Sequence, residues 1–135
     1  MDKKLIVFVE IPKGSIQKYE FDEELGGIKL DRTLYTEIYF PSDYGFIKET
    51  LGEDGDPLDC FLISSFPTFP GCLVSCRPIG LLEMEDEAGI DTKILLLPDE
   101  KIDHRLSNIK GIDDLSDQKK NEIKEFLENY KNLEP

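Results

Sequence analysis

The sequence predicts a small, mainly β protein in which five to seven strands close, fully or partly, into a barrel and one helix follows near the carboxyl end. Two observations favour this class. Short apolar or alternating runs are separated by turns rich in glycine and proline, and only the segment after residue 115 repeats its apolar residues at helical spacing. The length of 135 residues and the 39% of hydrophobic residues fit one domain, spanning 1–135, with a single modest core.

The amino-terminal part predicts one strand and one hairpin. Residues 5–11 form an apolar run that ends at a proline and a glycine. Glu10 is the one acid in that run, so it is either an edge residue or a ligand. Residues 18–22 alternate polar and apolar side chains, and residues 28–32 return as the partner strand after a turn.

The polar side chains of this hairpin are expected on one face. Lys18 and Glu20 lie two positions apart on an alternating strand, and Arg32 lies on the returning strand. The three side chains form either a surface salt-bridge cluster or part of a charged site.

The middle of the chain continues the sheet. Residues 34–47 are rich in tyrosine and phenylalanine, most of which we expect in the core. Residues 60–63 predict a short buried strand. Residues 73–84 and 92–97 predict two strands of a hairpin, and Pro78 marks an edge or a bulge in the first of them.

The most unusual stretch carries three carboxylates, Asp54, Asp56 and Asp59, within six residues. Like charges so close repel unless cations hold them, while Gly55 and Pro57 favour a bent, non-helical backbone. Oxygen ligands suit Mg²⁺, and the single histidine and scattered cysteines make zinc unsuitable. An EF-hand counted from Asp54 fails because its sixth position, where glycine is needed, is Asp59. The alternative is a solvated acidic turn.

A second acidic group is expected at the later hairpin. Asp86 ends one arm and Asp91 begins the other, on either side of a predicted turn at residues 86–89. Lys93 lies two positions from Asp91 and therefore on the same face. The alternative is again a solvated hairpin tip.

The carboxyl end predicts a helix. Ser116 is a suitable N-cap, and Asp117 complements the dipole of the first turn. Apolar residues recur at helical spacing at Ile123, Phe126, Leu127 and Tyr130. Tyr130 and Lys131 in the last turn provide a hydroxyl and an ammonium, either for a ligand or for core packing and the helix dipole.

Charge and composition narrow the partners. The formal net charge of −13 disfavours nucleic acid and anionic membranes. The first apolar run is too short for a signal peptide or a membrane span, so we expect a cytoplasmic protein. Cys60, Cys72 and Cys76 are expected as reduced core thiols, and His104, the single histidine, as incidental.

The acidic residues occur together with a cationic and phenolic set. The acids are Glu10, Glu20, Asp54, Asp56, Asp59, Asp86 and Asp91. The second set is Lys18, Arg32, Tyr44, Lys93, Tyr130 and Lys131. The carboxylates suit bound metal ions, and the lysine, arginine and tyrosine side chains suit phosphate. The two sets together indicate metal-assisted phosphoryl chemistry.

Several motifs resemble those of the soluble Mg²⁺-dependent inorganic pyrophosphatases. These are E-I-P-K-G at 10–14, K-Y-E at 18–20, L-D-R at 30–32, Y-G-F at 44–46 and D-G-D-P-L-D at 54–59. M-E-D-E-A-G-I-D-T-K at 84–93 and Y-K-N-L-E at 130–134 follow in the family's order. The resemblance implies hydrolysis of pyrophosphate to two orthophosphates, several Mg²⁺ ions per site, an OB-type five-stranded barrel flanked by helices (α+β) and a homo-oligomer, commonly a hexamer.

The resemblance also implies roles for individual residues. Asp54, Asp59 and Asp91 would hold the metal pair that activates the water, Asp86 a further ion with Asp91, and Glu10 and Glu20 the outer shell. Asp56 would be the general base, and Lys18, Arg32, Tyr44, Lys93, Tyr130 and Lys131 would clasp the phosphoryl groups.

The chain departs from the family at Phe40, where a tyrosine is usual, and it is shorter at the carboxyl end than relatives commonly are. Two other functions remain open. One is hydrolysis of longer polyphosphates or nucleotides, and the other is a non-catalytic module of the same barrel that binds metal and phosphate.

Overall fold

The computed structural model describes residues 4–50, 55–86 and 89–135. In this part of the chain there are seven strands, two short 3₁₀ turns (His104–Leu106 and Ile112–Asp114) and one α-helix. The strands are β1 (Leu5–Ile11), β2 (Gln17–Asp22), β3 (Gly27–Thr33), β4 (Asp43–Ile47), β5 (Asp59–Leu62), β6 (Leu73–Asp86) and β7 (Gly89–Pro98), and the helix is α1 (Asp117–Asn129).

Five of the strands close into a barrel in the order β1-β4-β5-β7-β6. Neighbouring strands are antiparallel except β5 and β7, which run parallel with Phe61 beside Leu95. Strands β2 and β3 form a separate two-stranded sheet. The predicted fold class, a mainly β, OB-type five-stranded barrel with an extra hairpin and a carboxyl-terminal helix, is confirmed.

The apolar residues form two cores because alternate side chains of a strand point to opposite faces. All five barrel strands contribute to the barrel interior, which contains Val7, Val9, Ile47, Cys60, Leu62, Val74, Cys76 and Leu96. The second core lies between the outside of the barrel and α1, where Phe61 and Leu97 pack with Ile123 and Phe126. Burying each of these helix side chains stabilises the docked helix by about 1.5 to 3 kcal/mol.

Gly45 shows why the Y-G-F motif needs its glycine. It pairs with Val9 across β1 and β4. A Cβ at this position would lie 2.0 Å from the backbone oxygen of Phe8. Any side chain would therefore push the two strands apart, and the flanking Tyr44 and Phe46 would lose their positions on the outer face.

The helix begins as predicted. Ser116 is the N-cap, and its Oγ accepts a hydrogen bond from the backbone N–H of Lys119 at 3.1 Å. The end differs slightly from the prediction, because α1 ends at Asn129 and Tyr130 is its C-cap. Tyr130 and Lys131 therefore follow the last turn instead of lying within it.

The second hairpin differs more, in the length of its strands. We expected strands at 73–84 and 92–97, but β6 extends to Asp86 and β7 begins at Gly89, and these two end residues of the predicted turn are paired. The strands therefore continue further than the apolar pattern indicates, because backbone pairing does not require apolar side chains. The predicted bulge is confirmed, since the register of β6 shifts between Pro78 and Gly80.

Two further expectations need correction. We expected most aromatic residues of 34–47 in the core, yet Tyr35 and Tyr39 are more than half exposed. They lie outside regular strands, where the segment has no periodicity that would bury them. The three cysteines are free as expected, but Cys72 is only half-buried, whereas burial raises the pKa of Cys76 to about 12.

Asp43 is a fully buried carboxylate at the start of β4 that joins two loops. Its Oδ1 accepts from the backbone N–H of Lys13 at 2.7 Å. Its Oδ2 accepts from the backbone N–H and the Oγ1 hydroxyl of Thr68, at 3.0 and 2.6 Å.

We expect Asp43→Asn to lower the free energy of unfolding by about 2 to 4 kcal/mol, because the new amide N–H₂ faces donors that it cannot pair. Urea denaturation at neutral pH measures the loss. Asp113→Asn, at an exposed position, is the matched control and should change stability by less than about 0.5 kcal/mol. A loss at Asp43 no larger than that of the control would contradict the assigned role.

Candidate functional site

A cleft of about 900 Å³ brings most of the predicted site residues together. Its walls come from the outer face of the barrel, from β2 and from the end of α1. The predicted residues that line it are Glu10, Lys18, Glu20, Tyr44, Asp56, Asp59, Asp91, Lys93, Tyr130 and Lys131. These residues lie far apart in the sequence, so the barrel and the docked helix create the site.

Two of the other three predicted residues are not fully described. Asp54 lies outside the described residues, and of Asp86 only the backbone, paired with Gly89 at the end of β6, is described. Arg32 does not line the cleft. Its placement in the phosphate site therefore stays a prediction.

Lys93 is at the centre of the cleft. Its side chain is buried, with 8% of the residue exposed. The ammonium donates to the Tyr44 hydroxyl at 2.9 Å and lies 3.2 Å from Asp59 Oδ2 and 3.1 Å from Asp91 Oδ2. The contact with Asp91 follows from their two-residue spacing on β7, as predicted.

Electrostatics keep this group charged. Burial alone lowers the pKa of Lys93, but the hydrogen bond with Tyr44 and the charge of Asp59 and Asp91 outweigh it, so the pKa is raised above its usual value. Burial also raises the pKa of Tyr44, which is therefore a neutral phenol at physiological pH. The centre of the cleft thus holds one ammonium, one phenol and two carboxylates.

Glu10 is the buried acid that the strand pattern singled out, with 9% of the residue exposed. Its Oε2 accepts from the backbone N–H of Phe21 at 2.9 Å, which joins β1 to the β2–β3 hairpin. Burial raises the pKa of Glu10 from 4.5 to about 7, and the negative charge of Asp59 adds to the shift. A cation in the cleft would lower this pKa.

This shift predicts how stability depends on pH in the metal-free protein. Between pH 4.5 and about 7 the folded state binds the Glu10 proton and the unfolded state does not. Stability that is fully present below pH 4.5 is therefore lost as the pH rises through about 7. The expected decrease in the free energy of unfolding over this pH range is about 3 kcal/mol.

Chemical unfolding in a chelator at a series of pH values measures this effect. The difference in the free energy of unfolding between the wild type and Glu10→Gln should change by that amount between pH 4.5 and about 7. Glu24→Gln, at an exposed position, is the matched control for the substitution itself. A pH-independent difference for Glu10→Gln would contradict the effect of burial.

Lys18 and Arg32 face each other across β2 and β3. Lys18 Nζ lies 3.8 Å and Arg32 Nη1 2.5 Å from the same Asp31 Oδ2. The Nε and Nη2 of Arg32 donate to Glu134 Oε2 at 3.2 and 2.9 Å. Glu134 raises the pKa of Arg32, and the Asp31 hydrogen bond adds to this.

Glu134 is a residue that the sequence reasoning missed. It closes the Y-K-N-L-E motif, but no role was assigned to it. Its contact with Arg32 joins residues 102 positions apart in the chain. The only sequence signal was its place in that motif.

A row of aromatic rings leads from the second core to the cleft. Phe61 contacts Tyr44 with ring centroids 5.0 Å apart, and Phe40 lies 5.7 Å from Tyr44. On the other side Phe40 lies 4.5 Å from Phe126, which stacks on Tyr130 at 4.9 Å. Phe40 is almost completely buried and also lines the cleft.

The position of Phe40 predicts a small effect of restoring a phenol. We expect Phe40→Tyr to leave the fold intact and to change kcat or KM for pyrophosphate by about ten-fold or less, the value of one hydrogen bond. Steady-state kinetics measure kcat and KM, and thermal unfolding measures the stability of the fold. Tyr39→Phe, at the exposed neighbouring position, should change neither. Activity that depends on the Phe40→Tyr hydroxyl by many powers of ten would contradict the assigned division of roles.

The described carboxylates fit a hard divalent cation, although among the described residues no group of three metal-ligating side chains converges. Asp59 and Asp91 have side chains 44% and 49% exposed, and a positive charge, the Lys93 ammonium, lies against both. The two carboxylates thus attract positive charge and are open to solvent, and oxygen-only donors suit Mg²⁺.

Comparisons with known proteins give a consistent result. The family model described as inorganic pyrophosphatase matches residues 7–135. An inorganic pyrophosphatase of Aquifex pyrophilus is 51% identical over 131 residues, 97% of this chain and 74% of that protein. One of Sulfolobus acidocaldarius is 54% identical over 129 residues, 96% of this chain and 75% of that protein.

Solved structures agree with the sequence comparisons. The inorganic pyrophosphatase of Helicobacter pylori superposes with a TM-score of 0.94 at 47% identity, covering 98% of this chain and 78% of that one. The inorganic pyrophosphatase of Thermus thermophilus superposes with a TM-score of 0.91 at 49% identity, covering 96% of this chain and 73% of that one. Within the described residues, no helix has both the length and the apolar character that crossing a bilayer requires.

Proposed function

Because this chain belongs to the inorganic pyrophosphatase family, we propose that it hydrolyses inorganic pyrophosphate to two orthophosphates. The observation that carries the proposal is the centre of the cleft, where Lys93 lies between Asp59 and Asp91 and donates to Tyr44. Such a group can bind both a divalent cation and a phosphoryl oxygen. A site for phosphate alone would not need the two carboxylates, which repel an anion.

The acidic residues would hold Mg²⁺. Asp59 and Asp91, whose side chains the structure describes, would be direct ligands, and Asp54 and Asp86 would complete the set. Glu10 and Glu20 would belong to the outer shell. When bound, Mg²⁺ lowers the pKa of a coordinated water and neutralises charge on the phosphoryl oxygens. The negative charges of Glu10 and Asp59 repel each other, and a cation bound in the cleft would offset this repulsion.

Asp56 takes the proton from the attacking water. It is exposed on the cleft wall, in a bend where Gly55 has a φ of 85° and Pro57 follows. A carboxylate on the cleft wall can accept a proton from a water bound in the cleft, which supports this role.

The cationic and phenolic side chains bind the substrate. Lys18 and Lys93 come from two different sheets and face the cleft, and Tyr44 is a neutral hydrogen-bond donor between them and the core. Tyr130 and Lys131 contribute from the segment after α1. Arg32 on β3 would have to exchange its contacts with Asp31 and Glu134 for a phosphoryl oxygen. Together they neutralise charge on the two phosphoryl groups and orient the bond that breaks.

One assay tests the function: phosphate release from pyrophosphate, tripolyphosphate and ATP, with and without Mg²⁺. We expect Mg²⁺-dependent release from pyrophosphate above that from the other two. Faster release from tripolyphosphate or ATP would favour the broader hydrolase. Binding of pyrophosphate without release would indicate a non-catalytic module, and both results would overturn the proposal.

We extend the proposal to assembly and location. The protein would act in the cytoplasm as a homo-oligomer, a hexamer by resemblance to the family, without nucleic acid or membrane partners. Leu73 and Leu81 on β6 are more than half exposed, and we expect the interface between copies to cover them. Sedimentation equilibrium measures the assembly, and a monomer at micromolar concentration would contradict it.

A further inference from the structure

One part of the cleft has no use in pyrophosphate hydrolysis. Phe8, Phe21 and Phe46 line it and form a cluster that we call the aromatic shelf. The rings of Phe8 and Phe46 are stacked, with centroids 5.1 Å apart and planes at 20°. Phe21 meets Phe8 edge to face at 5.4 Å. Pyrophosphate has no apolar surface to place against these rings.

The aromatic shelf lies directly beside the charged groups. Phe46 is the cross-strand partner of Asp59, and Phe8 is the partner of Phe46 on the next strand. Directly paired residues point to the same face of a sheet with Cβ atoms about 4.5 to 5.5 Å apart. A ligand whose phosphates lie at Lys93, 3.2 Å from Asp59, would therefore reach the shelf with a part only a few bonds away.

The shelf is accessible and has a cation at its far side. Phe21 is 36% exposed, and Phe8 and Phe46 are half-buried. The pairing of β1 and β4 continues one step beyond the strands, since the backbone N–H of Lys48 donates to the oxygen of Ile6. Lys48 is thus two positions beyond Phe46, on the same face, and it also lines the cleft.

The size of the cleft allows a ligand larger than pyrophosphate. Its volume of about 900 Å³ lies in the range of pockets that hold drug-sized molecules. Charges at one end and rings at the other require a ligand of the same two-part chemistry. An aromatic ring attached to a diphosphate fits both parts.

We propose that this cleft binds a nucleoside diphosphate, with the diphosphate at Lys18 and Lys93 and the base on the aromatic shelf with Lys48 at its edge. The inference rests on the proposed function, because it uses the same phosphate-binding groups. The nucleotide binds in place of pyrophosphate and so competes with it.

The test compares two probes that differ only in the base. These are α,β-methylene-ADP and its analogue with the same methylenediphosphate on ribose and no base. Titration calorimetry in Mg²⁺ measures both dissociation constants on the full chain. Base stacking on aromatic rings should make the first probe bind about 5- to 100-fold tighter to the wild type.

Two variants assign the difference to the shelf. Phe21→Leu and Phe46→Leu should each reduce the preference for the base several-fold and leave the affinity for the base-free probe unchanged. Phe66→Leu, at a position 65% exposed and outside the cleft, is the matched control and should change neither. Phe21→Leu, on the separate hairpin, still tests the proposal if Phe46→Leu does not fold.

Two results would overturn the inference: equal affinities for the two probes in the wild type, or variants that weaken both probes equally. Pyrophosphate turnover, measured on the same samples, separates the two proposals. Turnover without a base preference would remove only the nucleotide site. A base preference without turnover would remove only the proposed hydrolysis.

Discussion

Replacing Asp56 by asparagine should lower kcat for pyrophosphate by about a hundred- to ten-thousand-fold, the value of a general base. Asparagine has nearly the same shape but cannot accept a proton at neutral pH. The residue is exposed in a bend of the cleft wall, where a substitution usually changes stability by less than about 0.5 kcal/mol. The fold and the affinity for Mg²⁺ should therefore change little.

Asp59→Asn is the matched comparison, because it removes one charge from the same segment at a proposed metal ligand. Asp59→Asn should weaken Mg²⁺ binding as well as lower kcat. Raising the Mg²⁺ concentration should therefore restore part of the activity of Asp59→Asn. The same increase should not restore the activity of Asp56→Asn. Initial rates over a range of Mg²⁺ concentrations measure both effects. Near-normal kcat for Asp56→Asn at saturating Mg²⁺ would show that another group activates the water.

Local patterns predicted the elements of the fold and much of the site. The alternation of residues 18–22 and the apolar run at 5–11 indicated their strands, because a strand exposes its two faces in turn. The two-residue spacing of Asp91 and Lys93 placed both side chains together for the same reason. Ser116 marked the helix start, because an N-cap hydroxyl satisfies an otherwise unpaired backbone N–H.

Contacts between distant strands could not be predicted in this way. The parallel pairing of β5 with β7 depends on how the whole barrel closes. The pairing of Phe46 with Asp59 depends on the register of β4 and β5, and the contact of Arg32 with Glu134 depends on where the helix docks. Sequence patterns give the face of a residue, whereas its neighbour on that face follows from register and packing.

We expect Lys93 to have two opposing effects at the centre of the cleft. It is proposed to bind a phosphoryl oxygen, yet in this structure its ammonium lies against both Asp59 and Asp91. A positive charge about 3 Å from two carboxylates competes with a divalent cation for them. Lys93 should therefore favour substrate binding and oppose metal binding.

Lys93→Met should separate these two roles. We expect kcat/KM for pyrophosphate to fall by about ten- to a hundred-fold, because one charged hydrogen bond to the phosphoryl group is lost. Mg²⁺ should bind more tightly to the free protein, because Asp59 and Asp91 lose their competing cation. Initial rates and calorimetric titration with Mg²⁺ measure the two changes. Lys101→Met, at an exposed lysine outside the cleft, removes the same charge and should change neither. Weaker Mg²⁺ binding in Lys93→Met would show that Lys93 positions the carboxylates for the metal instead of competing with it.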